Sequence, residues 1–327
     1  MKGEGIIGAA DTVTKAYIRK NEVFADAFNY FMYDGRQKIQ PEQLRELDST
    51  EIAILLNEKD TKDKTNKEKE ASEQKMVQKY RDLLKTATIM EDGEATYVLL
   101  GIENQTEVHY AMPVRNMLYD AMQYEKQVRQ LAAAHRKKHD AATSDEYLSG
   151  MSREDKITPV ITLVINFGSK RWDGPLSLYE MMPEQPAKVK AFVQDYKVFL
   201  IDPMAMTDAD LEHLNSSLRE VLSYIKYQHN QEQMQRLLQE DNRFSELERN
   251  AALVIQATTK TELNIKPNAE VVDMCEAIQQ MMNNSMQQGV QLGKKQGERN
   301  MQLHIARQML AAKLPLQQIC EITALSM

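Results

Sequence analysis

The feature that most restricts the fold is a pair of strand-like runs on either side of Asp92-Gly93. The runs are 80–90 and 95–105, and Asp-Gly between two such runs predicts a hairpin, because both central residues of a type I′ turn need positive φ. In a hairpin centred there, the numbers of paired residues sum to 185, so Asp82 pairs with Glu103. The sequence therefore predicts two carboxylates side by side at one end of the hairpin.

The end of the second strand carries the polar side chains that could do chemistry. Glu103 and Gln105 share a face, because side chains two apart in a strand point the same way. Carboxylates directly opposite each other destabilise a sheet unless something neutralises them, and a divalent cation would do so. A symmetric loop keeps Asp82 opposite Glu103, whereas a three-residue loop would place the two carboxylates on opposite faces.

Hydrophobic spacing and turn signals predict the other elements. We predict three helices: an amphipathic helix over 11–33, with Phe24, Phe28 and Phe31 on one face and Asp34-Gly35 at its end, a helix over 114–133 packed on the sheet, and a helix over 207–227 that opens with a Thr207–Asp210 capping box. We also predict a short strand within 47–56, a buried central strand over 158–167 and a strand over 196–201. The segment 57–75 is predicted to be a solvated charged loop. On the helix over 114–133 the apolar residues recur at three- and four-residue spacing: Val114, Met117, Leu118, Ala121, Tyr124, Val128 and Leu131.

Composition sets broad limits on the class of protein. The 327 residues are 42% hydrophobic, which is enough for a sizeable core in one or two domains. Two cysteines cannot form a disulfide framework, and neither a leader nor an 18-residue apolar run is recognisable, so we expect a soluble cytoplasmic protein without membrane contact. The net charge of -7 argues against non-specific coating of nucleic acid but allows a local basic groove.

The character of the chain changes near residue 230. We predict a domain over 1–230 and a helical region over 231–327 that is rich in Gln, Met, Asn and Glu. Gly289, Gly293 and Gly297 recur every fourth residue, which indicates either close helix–helix contact in an oligomer or a weak helix.

Taken together, the order of the elements resembles the PD-(D/E)XK nuclease core. Four motifs are similar to its Rpn-type branch, whose members are described as recombination-promoting nucleases or proposed transposases of bacteria: Tyr80-Arg81-Asp82, Gly101-Ile102-Glu103-Asn104-Gln105, His109-Tyr110-Ala111-Met112-Pro113-Val114-Arg115, and Trp172-Asp173-Gly174-Pro175-Leu176. The resemblance covers about 10–228. It implies an α/β fold with a central mixed sheet flanked by helices, followed by an all-helical C-terminal extension.

The resemblance also implies a site. Asp82 and Glu103 would bind Mg²⁺, with Mn²⁺ as an alternative, and the carbonyl of Asn104 would be a further ligand. A bound divalent cation lowers the pKa of water and stabilises charge on a phosphate. Gln105 stands where the name of the superfamily has lysine, and glutamine can orient water but carries no charge. Glu-x-Gln is also similar to what this branch commonly carries.

Three further side chains are candidates for supporting roles. Asp26, on the first helix, could supply another carboxylate or could simply face solvent. Arg115 and Tyr119 are four apart and could hold a phosphate, or could cap and pack their helix. His109 is more typical of a structural histidine than of a base, and the basic tract 135–139 is more typical of a solubilising helix end than of a phosphate site.

The function that the resemblance implies is a metal-dependent deoxyribonuclease, an endonuclease linked to recombination or mobile elements, that binds DNA. From the glycine spacing and the C-terminal helices we expect a homo-oligomer. RNA stays open as a substrate. The alternatives are a weak or inactive relative that binds DNA or a protein partner, and an assembly protein dominated by its C-terminal helices. The segment 305–327 resembles the start of a helix-turn-helix that lacks its recognition helix, so we expect it to serve in oligomerisation.

Overall fold

The computed structural model describes residues 4–47, 50–53, 77–80, 82–91 and 94–323. The helices of this part of the chain are α1 (Glu4–Ile18), α2 (Asn21–Tyr33), α3 (Met112–Lys138), α4 (Ser144–Ser149), α5 (Ala187–Lys190), α6 (Asp208–Glu212), α7 (Leu218–Tyr227), α8 (Gln231–Glu240), α9 (Arg249–Thr259), α10 (Met274–Ala311) and α11 (Leu316–Thr323). The strands are β1 (Arg45–Glu46), β2 (Thr50–Ala53), β3 (Val77–Tyr80), β4 (Leu83–Glu91), β5 (Glu94–Gln105), β6 (Val160–Asn166), β7 (Phe199–Ile201), β8 (Leu247–Glu248) and β9 (Val271–Val272).

Five of these strands form a mixed central sheet in the order β1-β4-β5-β6-β7. Strands β1, β4 and β5 are antiparallel neighbours, whereas β5, β6 and β7 run parallel. A parallel pair needs a long crossover connection, and α3 supplies it between β5 and β6. The predicted α/β fold is confirmed, and the carboxyl ends of β5, β6 and β7 meet at one edge of the sheet.

The predicted hairpin register is also confirmed. Leu83 pairs with Ile102 and Glu91 with Glu94, so paired residue numbers sum to 185 throughout the ladder. Asp92-Gly93, where we predicted the turn, lies outside the described residues, as does the charged run 57–75. The run 80–90 divides between β3 and β4, and β3 instead pairs with β2 in a separate two-stranded sheet.

The first helix that we predicted is in fact two. α1 ends at Ile18 and α2 begins at Asn21, and the corner between them rests on a lysine of the sheet. Lys85, on β4, is 1% exposed and donates to the carbonyl of Arg19 at 2.6 Å and to Oδ1 of Asn21 at 2.5 Å. The ammonium satisfies a carbonyl at the end of α1 that has no partner within the helix. The end at Asp34-Gly35 is as predicted, with both residues at positive φ.

The main core lies between one face of the sheet and the helices α1, α2, α7 and α9. It contains Phe24 and Phe28 from α2, together with alternate residues of β4, β5 and β6. Phe31 is partly buried at its margin and packs against the ring of Phe199 at 5.5 Å. The shared face predicted for these three phenylalanines is therefore confirmed.

Helix α3 covers the other face of the sheet, but the face it buries is not the apolar one that we predicted. Val114 and Met117 are exposed, whereas Asn116, Tyr119, Asp120 and Gln123 are buried. The carboxylate of Asp120 accepts hydrogen bonds from Thr162 on β6, at 2.6 Å, and from Tyr196. Polar pairing with the sheet decides the orientation of α3, because buried polar groups need partners.

The predicted helix over 207–227 is interrupted. α6 opens with the predicted capping box, in which Thr207 and Asp210 exchange hydrogen bonds. The chain leaves the helix after α6 and starts again at α7, and the segment between them is bound by a carboxylate of α2 described below.

The C-terminal third is mainly helical, as predicted, with a two-stranded pairing of β8 and β9 that we did not predict. Helix α9 packs against α1 and α7, and its residues Ala251, Ala252, Val254 and Ile255 belong to the main core. The core therefore continues past residue 230, and the division of the chain into domains there stays a prediction. No helix among the described residues combines the length and apolar content that crossing a bilayer requires.

Candidate active site

Asp82 and Glu103, called the acidic pair below, meet at the sheet edge where β5 ends. Asp82 lies one residue before the first paired residue of β4. Its Oδ2 accepts the backbone N–H of Asn104 at 2.8 Å, and its own N–H donates to Oε1 of Glu103 at 3.3 Å. The side chain of Glu103 is completely buried. The hairpin register thus brings the two predicted acids together.

Each acid also contacts a cation from a helix. On one side, Nζ of Lys15 on α1 lies 2.9 Å from Oδ1 of Asp82 and 2.7 Å from Oδ2 of Asp11. Burial lowers the pKa of Lys15, but its hydrogen bonds to Asp11 and Asp82 outweigh this effect and leave the pKa raised. Lys15 is therefore an ammonium ion at neutral pH.

On the other side, Arg115 of α3 forms the second ion pair. Its Nη2 lies 3.0 Å from Oε2 of Glu103, and its Nε donates to the hydroxyl of Tyr119 at 3.2 Å. Burial, followed by the charge of Glu103, raises the pKa of Tyr119, so the phenol stays protonated. The predicted pair Arg115 and Tyr119 lies at the site.

Gln105 points to the same face as Glu103 but turns back on the chain. Its Nε2 donates to the carbonyl of Asn104 at 2.8 Å, which is the oxygen predicted to bind a metal. A carbonyl has two lone pairs, and this bond occupies one of them. Asn104 itself is buried, and both polar atoms of its side chain lack a hydrogen bond among the described residues.

The contacts of Asp26 give this residue a structural role. Its carboxylate accepts the backbone N–H groups of Asn215, at 3.0 Å, and Ser216, at 2.8 Å, together with the hydroxyl of Ser216 at 2.7 Å. It thereby holds the segment between α6 and α7 in the manner of a helix cap. Asp26 is buried, so the interpretation that it faces solvent is wrong, and these contacts do not support the alternative that it supplies a carboxylate to a metal.

Polar residues at the ends of β6 and β7 extend the same edge of the sheet. Asn166 donates to Oδ1 of Asp202 at 3.0 Å, and Oδ2 of Asp202 accepts the N–H of Trp172 at 2.9 Å. The hydroxyl of Tyr110 donates to Asp173 at 3.1 Å and ties the loop after β5 to the loop after β6. The Trp172-Asp173-Gly174 motif therefore shapes the rim of the site.

His109, in the loop after β5, has a lowered pKa because it is partly buried and faces the charge of Arg115. It is therefore neutral at pH 7. In the basic tract 135–139, both ring nitrogens of His135 contact carboxylates, Asp140 at 2.7 Å and Asp155 at 2.8 Å, so this histidine is engaged away from the acidic pair.

The acidic pair can be tested for its fit to Mg²⁺. Two carboxylates with a backbone carbonyl beside them form an all-oxygen donor set, which suits a hard cation that keeps several waters and binds substrate phosphate. No three His, Cys, Asp or Glu side chains gather as a metal site in the described part of the chain. The oxygen donors present are therefore of the kind that Mg²⁺ takes, and both acids are paired here with the side chains of Lys15 and Arg115.

Comparison with known proteins identifies the family. Residues 44–254 match the model of the family described as "Putative transposase, YhgA-like", which is more than half of the 327 residues. The chain belongs to this family. The YhgA-like family is the Rpn-type group that the four motifs resemble. Searches of the curated proteins and of the solved structures found no match.

The YhgA-like segment contains the acidic pair, Gln105, Arg115 and Tyr119, but it does not contain α1. Sequence reasoning missed Lys15, which lies 67 positions before Asp82 and reaches it only through the packing of α1. A signal was present in the Asp11–Lys15 spacing, which places the two side chains one helical turn apart.

Proposed function

We propose that the chain is a divalent-metal-dependent DNA endonuclease that hydrolyses phosphodiester bonds. The observation that carries this proposal is the buried acidic pair at the carboxyl end of β5, in register across the hairpin and next to a basic side chain on each side. Membership in a transposase family supports a nuclease or mobile-element role. We propose DNA as the partner for the same reason.

Asp82, Glu103 and the carbonyl of Asn104 would hold the cation. When bound, Mg²⁺ would supply Lewis acidity for water and phosphate. Arg115 carries five N–H donors, so contact with a phosphate oxygen is compatible with its bonds to Glu103 and Tyr119. In the reaction the oxygen of water bonds to phosphorus and the bond from phosphorus to one sugar oxygen breaks. That oxygen gains a proton, and water loses one to solvent.

The test is plasmid nicking in Mg²⁺ by the full chain. Asp82→Asn and Glu103→Gln keep the shape of each side chain and remove its charge, so we expect each to lose cleavage at least about 100-fold. The control is Glu107→Gln, an exposed carboxylate two residues after Gln105, which should cleave like the wild type. Undiminished cleavage by both acidic-pair variants would refute the assignment.

A second candidate is a nuclease-fold protein that binds DNA or a protein partner without cutting. It is favoured by one observation: Lys15 and Arg115 already neutralise the acidic pair, and Gln105 supplies no charge. Calorimetry separates the two candidates. Absence of Mg²⁺ binding, with DNA binding intact, would support the second candidate.

We also propose self-association through α10. Gly289, Gly293 and Gly297 lie on this exposed helix, and a Cβ added at any of them would meet nothing within 4 Å. Replacing all three with Ala should therefore strengthen the helix, by up to about 1 kcal/mol at each position. If the glycines allow two copies of α10 to approach closely, light scattering should show weaker association in this variant despite the better helix. Unchanged association would contradict this role for the glycines.

A further inference from the structure

Lys15 is a basic side chain at the acidic pair that comes from a helix rather than from the strand carrying Glu103. It bridges Asp11 and Asp82 at 2.7 and 2.9 Å. Its side chain is 36% exposed, so the ammonium lies at the surface of the site rather than inside the core.

Stabilising a phosphate under attack requires a positive charge at the site, and Gln105 carries none. A neutral amide cannot stabilise the negative charge that builds on a phosphate during attack, and the Nε2 of Gln105 is already bonded to the carbonyl of Asn104. Arg115 is less suited to this task, because its guanidinium is needed to pair with the completely buried carboxylate of Glu103.

The two partners of Lys15, Asp82 and Asp11, differ in exposure and location, and this difference matters when a metal ion binds Asp82. The side chain of Asp82 is 7% exposed and faces the site, whereas that of Asp11 is 46% exposed and lies on the same helix as Lys15. If Oδ1 of Asp82 turns to a metal, Asp11 still holds the ammonium next to the site. Lys15 can then direct its remaining N–H donors to a phosphate oxygen.

We propose that Lys15 supplies at the acidic pair the positive charge that Gln105 lacks, so that the lysine of the site is carried by α1 instead of β5. This inference rests on the proposed function. Lys15 contacts the phosphate of the substrate and stabilises its developing charge, and it takes no part in proton transfer.

The experiment compares four forms of the 327-residue chain: the wild type, Lys15→Met, Lys20→Met, and Lys15→Met combined with Gln105→Lys. Lys20 is a matched control, since it lies five residues after Lys15 in the corner between α1 and α2, its side chain is 32% exposed, and it pairs with Glu248 at 2.8 Å. We expect Lys15→Met to lower kcat for plasmid nicking about 100-fold at saturating Mg²⁺, and Lys20→Met to change it less than about threefold. The double variant should recover at least about tenfold over Lys15→Met.

Calorimetry provides a second readout that does not depend on cleavage. Because Lys15 competes with metal for Asp82, Lys15→Met should bind Mg²⁺ as tightly as the wild type or more tightly. Loss of Mg²⁺ binding in this variant would overturn the inference, because Lys15 would then be supporting the structure of the site.

Cleavage by Lys15→Met at the wild-type rate would overturn the inference and leave the proposed nuclease function intact. A double variant no more active than Lys15→Met would overturn the idea that a lysine at position 105 can replace the charge of Lys15. Absence of cleavage in all four proteins, including the wild type, would refute the proposed function itself, and this inference would fall with it.

Discussion

The ion pair between Arg115 and Glu103 should contribute far more to stability than an ordinary surface pair. The carboxylate of Glu103 is 0% exposed and the side chain of Arg115 is 29% exposed, with 3.0 Å between Nη2 and Oε2. Removing one partner of a buried pair costs about 3–5 kcal/mol, because it leaves a buried charge without compensation. Since Arg115 is partly in contact with solvent, we expect Arg115→Met to lower the free energy of unfolding by about 2–4 kcal/mol.

The assay is a double-mutant cycle in urea with Arg115→Met, Glu103→Gln and their combination. We expect the double variant to recover about 2 kcal/mol relative to the sum of the single changes, because no unpaired charge remains. The same helix offers a matched control in Arg129 and Glu125, an i,i+4 pair at 2.6 Å whose side chains are 60% and 55% exposed. Its coupling should be about 0.5 kcal/mol or less.

The reasoning depends on the difference between these two pairs. If both cycles give the same coupling free energy, then burial of Glu103 does not increase the contribution of Arg115 to stability, and the electrostatic account of the site is wrong. A large loss in Arg115→Met that Glu103→Gln does not relieve would show that packing of the arginine, and not its charge, provides the stability.

Three other outcomes follow from the structure. Burial raises the pKa of Glu220 to about 7, above its unfolded value of about 4.3. The free energy of unfolding should therefore fall by up to about 3 kcal/mol as pH rises from about 4.3 through about 7. In Glu220→Gln, urea titrations should not show this fall in the free energy of unfolding with pH. Hydrogen bonds that the His135 ring donates to Asp140 and then to Asp155 raise the pKa of this histidine, so its stabilising contacts are complete below about pH 6.5 and are lost as pH rises through the folded pKa. Hydrogen exchange of residues 140–155 should accordingly speed up on going to pH 8 beyond the intrinsic rate, and His135→Gln should not show this change. Asp26→Ala should cost about 1–2 kcal/mol by removing the cap on the segment before α7, while calorimetry should show that Mg²⁺ binding by the acidic pair is unchanged.

Local signals predicted the central hairpin well. The numbers of paired residues followed from the position of Asp92-Gly93 alone, because the two-residue period of strands fixes which side chains share a face. The contact between Asp82 and Glu103 follows from this register, whereas Arg115 and Tyr119 lie on α3, close to the end of β5 in the sequence.

Contacts between distant segments were not predictable in this way. The break between α1 and α2 depends on Lys85, which lies 66 positions after Arg19, and Lys15 reaches Asp82 over a similar separation. The orientation of α3 was predicted wrongly from its apolar spacing, because Asp120 finds Thr162 and Tyr196 only in the folded sheet. The hydrophobic spacing within a single helix or strand does not indicate which side chains of distant elements will pair with it.

The lysine under the α1–α2 corner also ties the two halves of the candidate site to each other. Lys85 follows Asp82 by three residues on β4, and the carbonyl it binds belongs to Arg19, one helical turn after Lys15. The bond therefore fixes how far α1 can slide along β4, and with it the distance between Lys15 and Asp82. A substitution at Lys85 should thus change the activity of the candidate site, about 10 Å away, although Lys85 does not contact that site. In a screen for activity alone, this buried lysine would be mistaken for a catalytic residue.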